Sequence, residues 1–315
     1  MTPISTSPSS TKVGQTIEGA WERPRSRFRD HVTADGSSGY PAAEGRYHLY
    51  VSLACPWAHR TIIVRRLKGL EQAISLSIVD PVRDERGWTF TGAPGTDLDP
   101  IHGFEFLSEV YDLSETNPRH HVSVPVLFDR ATDRIVNNES SEIIRMLNGE
   151  FDAFTDVRLD LYPEALRAEI DELEGEVYTN VNDGVYKCGF ARSQAAYDHA
   201  VGALFWTLDR LEARLSDSRY LHGDHITEAD WRLFTTLVRF DPVYHTHFKC
   251  NQRLVEDYPN LLGLARELYQ VPGVAETVDL DQIKRHYYMT HPQLNPGRIV
   301  PISNGPDLSA PHGRG

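Results

Sequence analysis

The chain has 315 residues, enough for about two domains of ordinary size. Apolar residues make up 40% and charged residues 24% of it, a balance that excludes a collagen, a coiled coil and a wholly disordered chain. The formal net charge is −13, and Lys and Arg form no stripe that offsets it. We therefore expect neither a nucleic acid nor an anionic membrane as a partner.

We expect the protein to be cytoplasmic. No apolar run approaches the roughly 20 residues that a membrane span requires. Residues 1–12 are rich in Ser, Thr and Pro but lack the basic and apolar regions of a secretory signal. Three cysteines are an odd number and too few to crosslink a chain of this length, which indicates reduced thiols. They are Cys55, Cys188 and Cys250.

The first half of the chain predicts an α/β domain. Residues 1–45 are expected to form a tail and an irregular wrap, with a Gly/Ser-rich turn at 35–39. Alternating apolar residues predict a strand at 46–53, and Cys55-Pro56 begins a helix because proline suits the first helical turn. The further predicted elements are a strand at 74–79, a loop at 84–103, a helix at 104–113, strands at 122–128 and 134–136, and a helix at 139–147. This β-α-β-α-β-β-α order over residues 46–150 is that of a thioredoxin-like fold.

The second half predicts an all-helical domain over residues 151–290. Apolar residues recur at helical spacing from Leu166 to Val177 and again from Ala200 to Leu215. Thr227 with Asp230 three positions later predicts a helix N-terminus. Two more helices are predicted at 259–270 and 273–284. Residues 291–315 form a C-terminal tail whose last stretch, 301–315, is expected to be solvated.

Cys55 is the candidate nucleophile. A strand ends and a helix begins beside it, so its sulfur is expected near unpaired backbone N–H groups at the positive end of that helix. Such placement favours the nucleophilic thiolate. Ala58 stands where a Cys-x-x-Cys motif has its second cysteine, so an external thiol must resolve any disulfide formed there. The alternative is an unreactive cysteine buried before a helix.

Two other segments complete a predicted glutathione site. Pro125 lies inside a predicted strand, where it removes a ladder hydrogen bond. A cis bond before it would expose the N–H and C=O of Val124 to a peptide opposite Cys55; the alternative is an edge-strand proline. At 137–142 a strand runs into a helix, whose N–H groups suit a carboxylate while Glu139 suits an ammonium. Alone this is only an N-cap, but a γ-glutamyl group carries both charges.

The sequence closely resembles the glutathionyl-hydroquinone reductases, the Xi class of glutathione transferases. The strongest segment is 47–60 (YHLYVSLACPWAHR), and 30–39, 136–147, 220–250, 283–288 and 310–314 also match. Ordinary glutathione transferases lack the Trp88 loop, the 285–288 segment and the tail. The resemblance implies a thioredoxin-like domain followed by a helical glutathione-transferase domain, assembled as a homodimer.

The resemblance also implies which residues contact glutathione. Cys55 matches the family nucleophile, and Trp88 matches an indole that contacts the tripeptide. Further contacts are implied for His121, Val122, Ser123 and Val124 along the peptide, and for Glu139 and Ser140 at the γ-glutamyl group. The family usually has arginine where this chain has His121, and an imidazole is a weaker carboxylate clamp. Phe128 replaces a frequent tryptophan, which we interpret as a packing change.

Three tyrosines match family positions near the sulfur. Tyr186 matches the proton donor and acceptor, whereas Tyr244 and Tyr287 match hydroxyls that stabilise the thiolate. The chemistry is consistent with these roles, because expelling an aromatic carbon from sulfur requires a proton on that carbon, and a phenol is a neutral donor at pH 7. Hydroxyls that donate to sulfur also favour its anionic form.

The implied reaction cleaves a glutathionyl-hydroquinone to hydroquinone and oxidised glutathione through a mixed disulfide on Cys55. Glutathione is the co-substrate, and no cofactor is expected. One alternative is an omega-like thiol transferase or dehydroascorbate reductase that uses the same cysteine; another is a binding module without activity. His245, His247 and Cys250 are spaced as metal ligands can be, but no second ligand pair accompanies them, so we expect no metal. Cys188 and Cys250 are expected to be unreactive.

Overall fold

The computed structural model describes residues 17–115 and 121–314. Its first half is a four-stranded sheet in the order β2-β1-β3-β4, with β1 parallel to β2 and antiparallel to β3. The strands are β1 (Tyr47–Val51), β2 (Ile74–Ile78), β3 (Val126–Asp129) and β4 (Arg134–Asn137). The helices of this half are α1 (Pro56–Leu67), α2 (Leu107–Ser114) and α3 (Ser140–Gly149). The order is that of the thioredoxin-like fold predicted above.

The second half is helical, as predicted. Its helices are α4 (Arg167–Val177), α5 (Gly184–Gly189), α6 (Gln194–Asp217), α7 (Glu228–Arg239), α8 (His245–His247), α9 (Pro259–Tyr269) and α10 (Leu280–Thr290). Two π-helical turns, Tyr178–Asn182 and Phe240–Tyr244, precede α5 and α8. Thr227 caps α7 together with Asp230 in the predicted capping box. No helix in the described ranges is long and apolar enough to cross a membrane.

Several predicted elements differ from the structure in their bounds; the helix predicted at 104–113, for example, begins at Leu107, and the two largest differences lie elsewhere. The helix predicted at 273–284 is wrong at its start: Gly273 has a φ of +85°, which a helix does not accept, and Ala275–Thr277 form only a 3-10 turn. The helix begins at Leu280, where the Asp279 carboxylate accepts a hydrogen bond from the N–H of Gln282 at 2.9 Å. The strand predicted at 122–128 begins only after Pro125, which has no N–H to donate to a ladder.

The N-terminal wrap and the described C-terminal segment both contact the body of the protein. Around residues 28–30 the N-terminal wrap pairs with the end of β4, where the N–H of Asp30 donates to the Val136 carbonyl at 3.0 Å. The described part of this C-terminal stretch, 301–314, is exposed or half-buried, as expected, but it is not a free tail, because the guanidinium of Arg314 binds Glu267 of α9 at 2.8 Å. The predicted tail at 1–20 lies mostly outside the described residues.

Candidate active site

Cys55 is the residue that precedes α1, as predicted, but its sulfur makes no hydrogen bond to the N–H groups of the first helical turn. Its backbone is extended, Pro56 is the first helical residue, and the side chain is 9% exposed. The Cys55 thiol donates to the carbonyl of Val124 at 3.5 Å. The Val124–Pro125 peptide is cis, so the prediction that a cis proline faces the cysteine is confirmed.

Arg239 of α7 fixes the segment before Cys55. Its buried guanidinium donates to the carbonyls of Leu53 at 2.8 Å and Ala54 at 2.9 Å. It also donates to the Thr235 carbonyl on its own helix at 2.7 Å. A planar group with several donors in fixed directions can serve several acceptors at once. The helical domain therefore positions the residues that lead into the nucleophile.

Cys55 opens onto a cavity of about 260 Å³ between the two domains. The N-terminal wrap, the loop after β2, the cis-proline loop and the helical domain each form part of its wall. Seventeen residues line it, and among those predicted as site residues are Cys55, Trp88, His121, Val122, Ser123, Val124, Tyr186 and Tyr287. The cavity is thus built from both halves of the chain, as a site for a peptide joined to an aromatic ring requires.

The three predicted tyrosines lie together. The hydroxyl oxygens of Tyr186 and Tyr287 are 2.6 Å apart, and those of Tyr287 and Tyr244 are 2.9 Å apart. Tyr186 and Tyr287 line the cavity, whereas Tyr244 is fully buried and is not among the lining residues. Any effect of Tyr244 on a substrate must therefore pass through its hydrogen-bonded neighbours.

Burial keeps these phenols protonated. Desolvation raises the pKa of Tyr186, and the neighbouring Arg23 cation opposes that shift without reversing it. Desolvation also raises the pKa of Tyr287 and of Tyr244 well above the ordinary value. The cluster is therefore neutral at physiological pH and holds protons that it can donate.

A second cavity adjoins the first on the other side of the cis-proline loop. Both are lined by Arg23, Pro24, Trp57, His121, Ser123 and Val124. The second also contains Glu139 and Ser140 at the start of α3. Glu139 accepts hydrogen bonds from the Ser26 hydroxyl at 2.9 Å and from the N–H of Ser141 at 3.2 Å. The predicted γ-glutamyl residues thus lie beside the predicted peptide contacts.

His121 lies where the two cavities meet and is uncharged at neutral pH. Desolvation lowers its pKa, and the nearby cations of Arg83 and Arg23 lower it further. A neutral imidazole offers a carboxylate one donor at most. Trp88 is buried at the same wall and stacks on His286 with ring centroids 5.0 Å apart.

Several residues of the cavity wall were not predicted from the sequence. They include Trp21, Arg23, Arg83, Phe190, His286 and His291. Arg23 forms an ion pair with Asp183 at 2.7 Å and lies over the ring of Tyr186 at 4.6 Å. Trp21 stacks on the same ring. Both belong to the irregular wrap, which has no periodicity from which a contact could be inferred, so no signal in the sequence indicated them.

Cys188, Cys250 and His247 are buried, whereas His245 is half-buried. Burial raises the pKa of the Cys250 thiol well above its ordinary value, which disfavours a nucleophilic thiolate there. His247 contacts His291, with Nε2 and Nδ1 3.2 Å apart. Within the described residues there is no cluster of three or more His, Cys, Asp or Glu side chains suited to a metal ion.

Comparisons with known families agree with this geometry. Residues 54–150 match the description "Glutathione S-transferase, N-terminal domain", and residues 194–266 match "Glutathione S-transferase, C-terminal domain". Together these matches cover more than half of the chain. The chain belongs to the glutathione S-transferase family.

Named relatives indicate which group of glutathione S-transferases this chain resembles. Glutathionyl-hydroquinone reductase YqjG of Escherichia coli is 50% identical over 96% of this chain and 98% of its own. Its glutathione-bound structure superposes with a TM-score of 0.89 at 52% identity, covering 96% of this chain and 99% of the other. Glutathionyl-hydroquinone reductase PcpF of Sphingobium chlorophenolicum is 48% identical over 92% of this chain and 96% of its own.

One similar solved structure is named as a glutathione S-transferase of the Xi class. The glutathione S-transferase Xi from Phanerochaete chrysosporium superposes with a TM-score of 0.88 at 48% identity, covering 90% of this chain and 93% of the other. These similarities confirm the resemblance to the Xi class that the sequence indicated.

Proposed function

We propose that this protein is a glutathione-dependent reductase that cleaves glutathionyl-hydroquinones to hydroquinone and oxidised glutathione. The observation that carries the proposal is the shared cavity, in which the Cys55 thiol and the Tyr186 and Tyr287 hydroxyls line one space. The adjoining cavity contains Glu139 and Ser140, the residues predicted to contact the γ-glutamyl end of the same molecule. A nucleophile and a neutral acid on opposite sides of a carbon–sulfur bond are what this cleavage needs.

In the first half-reaction the Cys55 thiolate attacks the sulfur of the conjugate. A sulfur–sulfur bond forms and the bond from sulfur to the ring carbon breaks, leaving its electron pair on that carbon. Tyr186 donates a proton to the carbon, and hydroquinone leaves. The sulfur of Cys55 is then in a mixed disulfide with glutathione.

In the second half-reaction a further glutathione thiolate attacks that disulfide. Oxidised glutathione leaves, the Cys55 thiolate is regenerated, and the proton lost by the incoming thiol restores the phenol of Tyr186. Ala58 cannot resolve the disulfide internally, so the second glutathione is a true substrate. Initial rates should accordingly follow a ping-pong pattern.

The deciding experiment measures formation of oxidised glutathione from a glutathionyl-hydroquinone by the wild type and by Cys55→Ser. The variant should be inactive, while Cys188→Ser, the matched control, should retain most of the activity. Mass spectrometry after one equivalent of substrate without free thiol should show one glutathionyl group on Cys55. Substantial turnover by Cys55→Ser, or a disulfide between Cys55 and another cysteine, contradicts the mechanism.

Assay with dehydroascorbate separates this proposal from the omega-like alternative. Faster turnover of dehydroascorbate than of the conjugate would favour the thiol-transferase interpretation, and no turnover of either would favour a binding module. The homodimer, the cytoplasmic location and the absence of a cofactor stay predictions of the sequence.

A further inference from the structure

Arg83 places a cation in the cavity that the proposed reaction does not use. It lies in the loop after β2 and lines the cavity together with Cys55 and Tyr287. Its guanidinium carbon is 4.9 Å from the ring centroid of Trp88. This contact holds one face of the guanidinium against the wall and leaves its two terminal nitrogens, rather than the buried Nε, for the cavity.

Arg83 has no carboxylate partner among residues 17–115 and 121–314. Its Nε is buried and makes no hydrogen bond within those ranges. By contrast, Arg23, the other arginine in the wall, is bound to Asp183 at 2.7 Å. A buried donor without a partner is costly, and a cation more so. Such a group is stabilised when a ligand brings the missing negative charge.

The electrostatics of the wall support an anionic ligand at Arg83. Desolvation lowers the pKa of its guanidinium, and the phenols of Tyr186 and Tyr287, which would oppose this shift if ionised, are neutral at physiological pH. The histidines that face it carry no charge at neutral pH. Burial lowers the pKa of His286 well below its ordinary value and that of His291 to about 3. Arg83 is therefore the cation of this wall that remains available to an anion.

We propose that Arg83 binds a carboxylate of the conjugate in the cavity. The inference rests on the proposed function, because it assumes that a glutathionyl conjugate occupies the site. A guanidinium offers a carboxylate two parallel hydrogen bonds, which the neutral His121 at the same wall cannot do. Two groups of the substrate can supply the carboxylate: the glycyl end of the glutathionyl moiety, or an acidic substituent on the hydroquinone ring.

Calorimetric titration with glutathione and with its glycyl amide tests the first source without requiring turnover. Arg83→Gln should weaken the binding of glutathione by roughly 10–100-fold if the glycyl carboxylate is the ligand, since hydrogen bonds to charged groups contribute about 1.5–3 kcal/mol. The amide should bind wild type and variant alike. Arg83→Lys should restore part of the affinity. Arg86→Gln, a substitution of an exposed arginine on the same loop, is the matched control and should change nothing.

Steady-state kinetics tests the second source. If the ring supplies the carboxylate, Arg83→Gln should raise KM for a conjugate with a carboxylated ring by a similar factor and leave KM for the unsubstituted conjugate unchanged. The proposal is overturned if neither arm responds to the substitution. It is also overturned if kcat falls equally for all substrates and alkylation of Cys55 slows, because Arg83 then acts on the thiolate. Wild-type turnover of the conjugate reports on the proposed function independently.

Discussion

Replacement of Arg239 tests how the helical domain holds the nucleophile. This side chain is fully buried and donates to three backbone carbonyls, two of which belong to Leu53 and Ala54 immediately before Cys55. Arg239→Met keeps a similar length but removes every donor. Arg239→Lys keeps the charge but has a single ammonium, which cannot reach all three carbonyls with the geometry of a planar fork.

The expected loss of unfolding free energy follows from the backbone carbonyls that lose their hydrogen-bond donor. A buried acceptor that loses its partner costs about 1–3 kcal/mol, so losing the donors to Leu53 and Ala54 should lower the free energy of unfolding of Arg239→Met by about 2–6 kcal/mol. Arg239→Lys should lose roughly half of that. The Cys55 sulfur should also shift, and a misplacement near 1 Å can cost about 100-fold in rate. The loss should appear in kcat rather than in glutathione affinity, because Arg239 lines neither of the two cavities and acts on the segment that leads into Cys55.

Urea unfolding and steady-state kinetics measure the two effects separately. Arg253→Lys, which changes an exposed arginine paired with Asp209, is the control and should stay within about 0.5 kcal/mol of the wild type. The rate of alkylation of Cys55 by iodoacetamide separates two roles of Arg239. It should change if Arg239 positions the sulfur, and it should stay the same if Arg239 only stabilises the fold. If Arg239→Lys matched the wild type in unfolding free energy, kcat and alkylation, the guanidinium would not be what positions this segment.

Three further outcomes are expected. Tyr186→Phe should lower turnover by roughly 10²–10⁴-fold with little change in the dissociation constant of glutathione, and an unchanged rate would remove Tyr186 as the proton donor. Burial raises the pKa of Tyr186 and Tyr287, so both stay protonated as the pH rises. The pH profile of the rate should therefore show no fall from loss of a phenol proton below about pH 10. A fall near pH 8 that Tyr186→Phe abolishes would contradict this. Because burial raises the pKa of Cys250, peptide mapping after brief alkylation at neutral pH should find Cys55 modified and Cys250 intact.

The local features of the catalytic half could be predicted from the sequence because each depends on neighbours along the chain. Cys55 followed by Pro56 specifies a strand end and a helix start through the φ restriction of proline and the unpaired N–H groups of a first turn. Pro125 inside an apolar run indicated the cis bond that the structure contains. The helix predicted at 273–284 starts instead at Leu280 for a local reason as well, because a helix does not accept the positive φ of Gly273.

The assignment of tyrosines depended on family resemblance rather than on pattern. Nothing in the spacing of Tyr186, Tyr244 and Tyr287 along the chain brings their hydroxyls within hydrogen-bond distance. Their proximity is produced by the packing of α5, the π-helical turn Phe240–Tyr244 and α10, elements separated by tens of residues. Phe128, interpreted as a packing change, is fully buried in the sheet, in agreement with that interpretation.

By itself the sequence determined the two-part fold, the nucleophile and the cis-proline loop, because periodicity, capping and proline chemistry act over a few residues. Only the tertiary structure decided which charged side chains line the cavity opposite these elements. Arg23 and Arg83 lie in irregular segments, where no repeat fixes the direction of a side chain. Whether a cation there is neutralised, as Arg23 is by Asp183, or left for a ligand depends on which distant carboxylate the fold brings within reach. That distance is set by the packing of the whole chain, which no local pattern encodes.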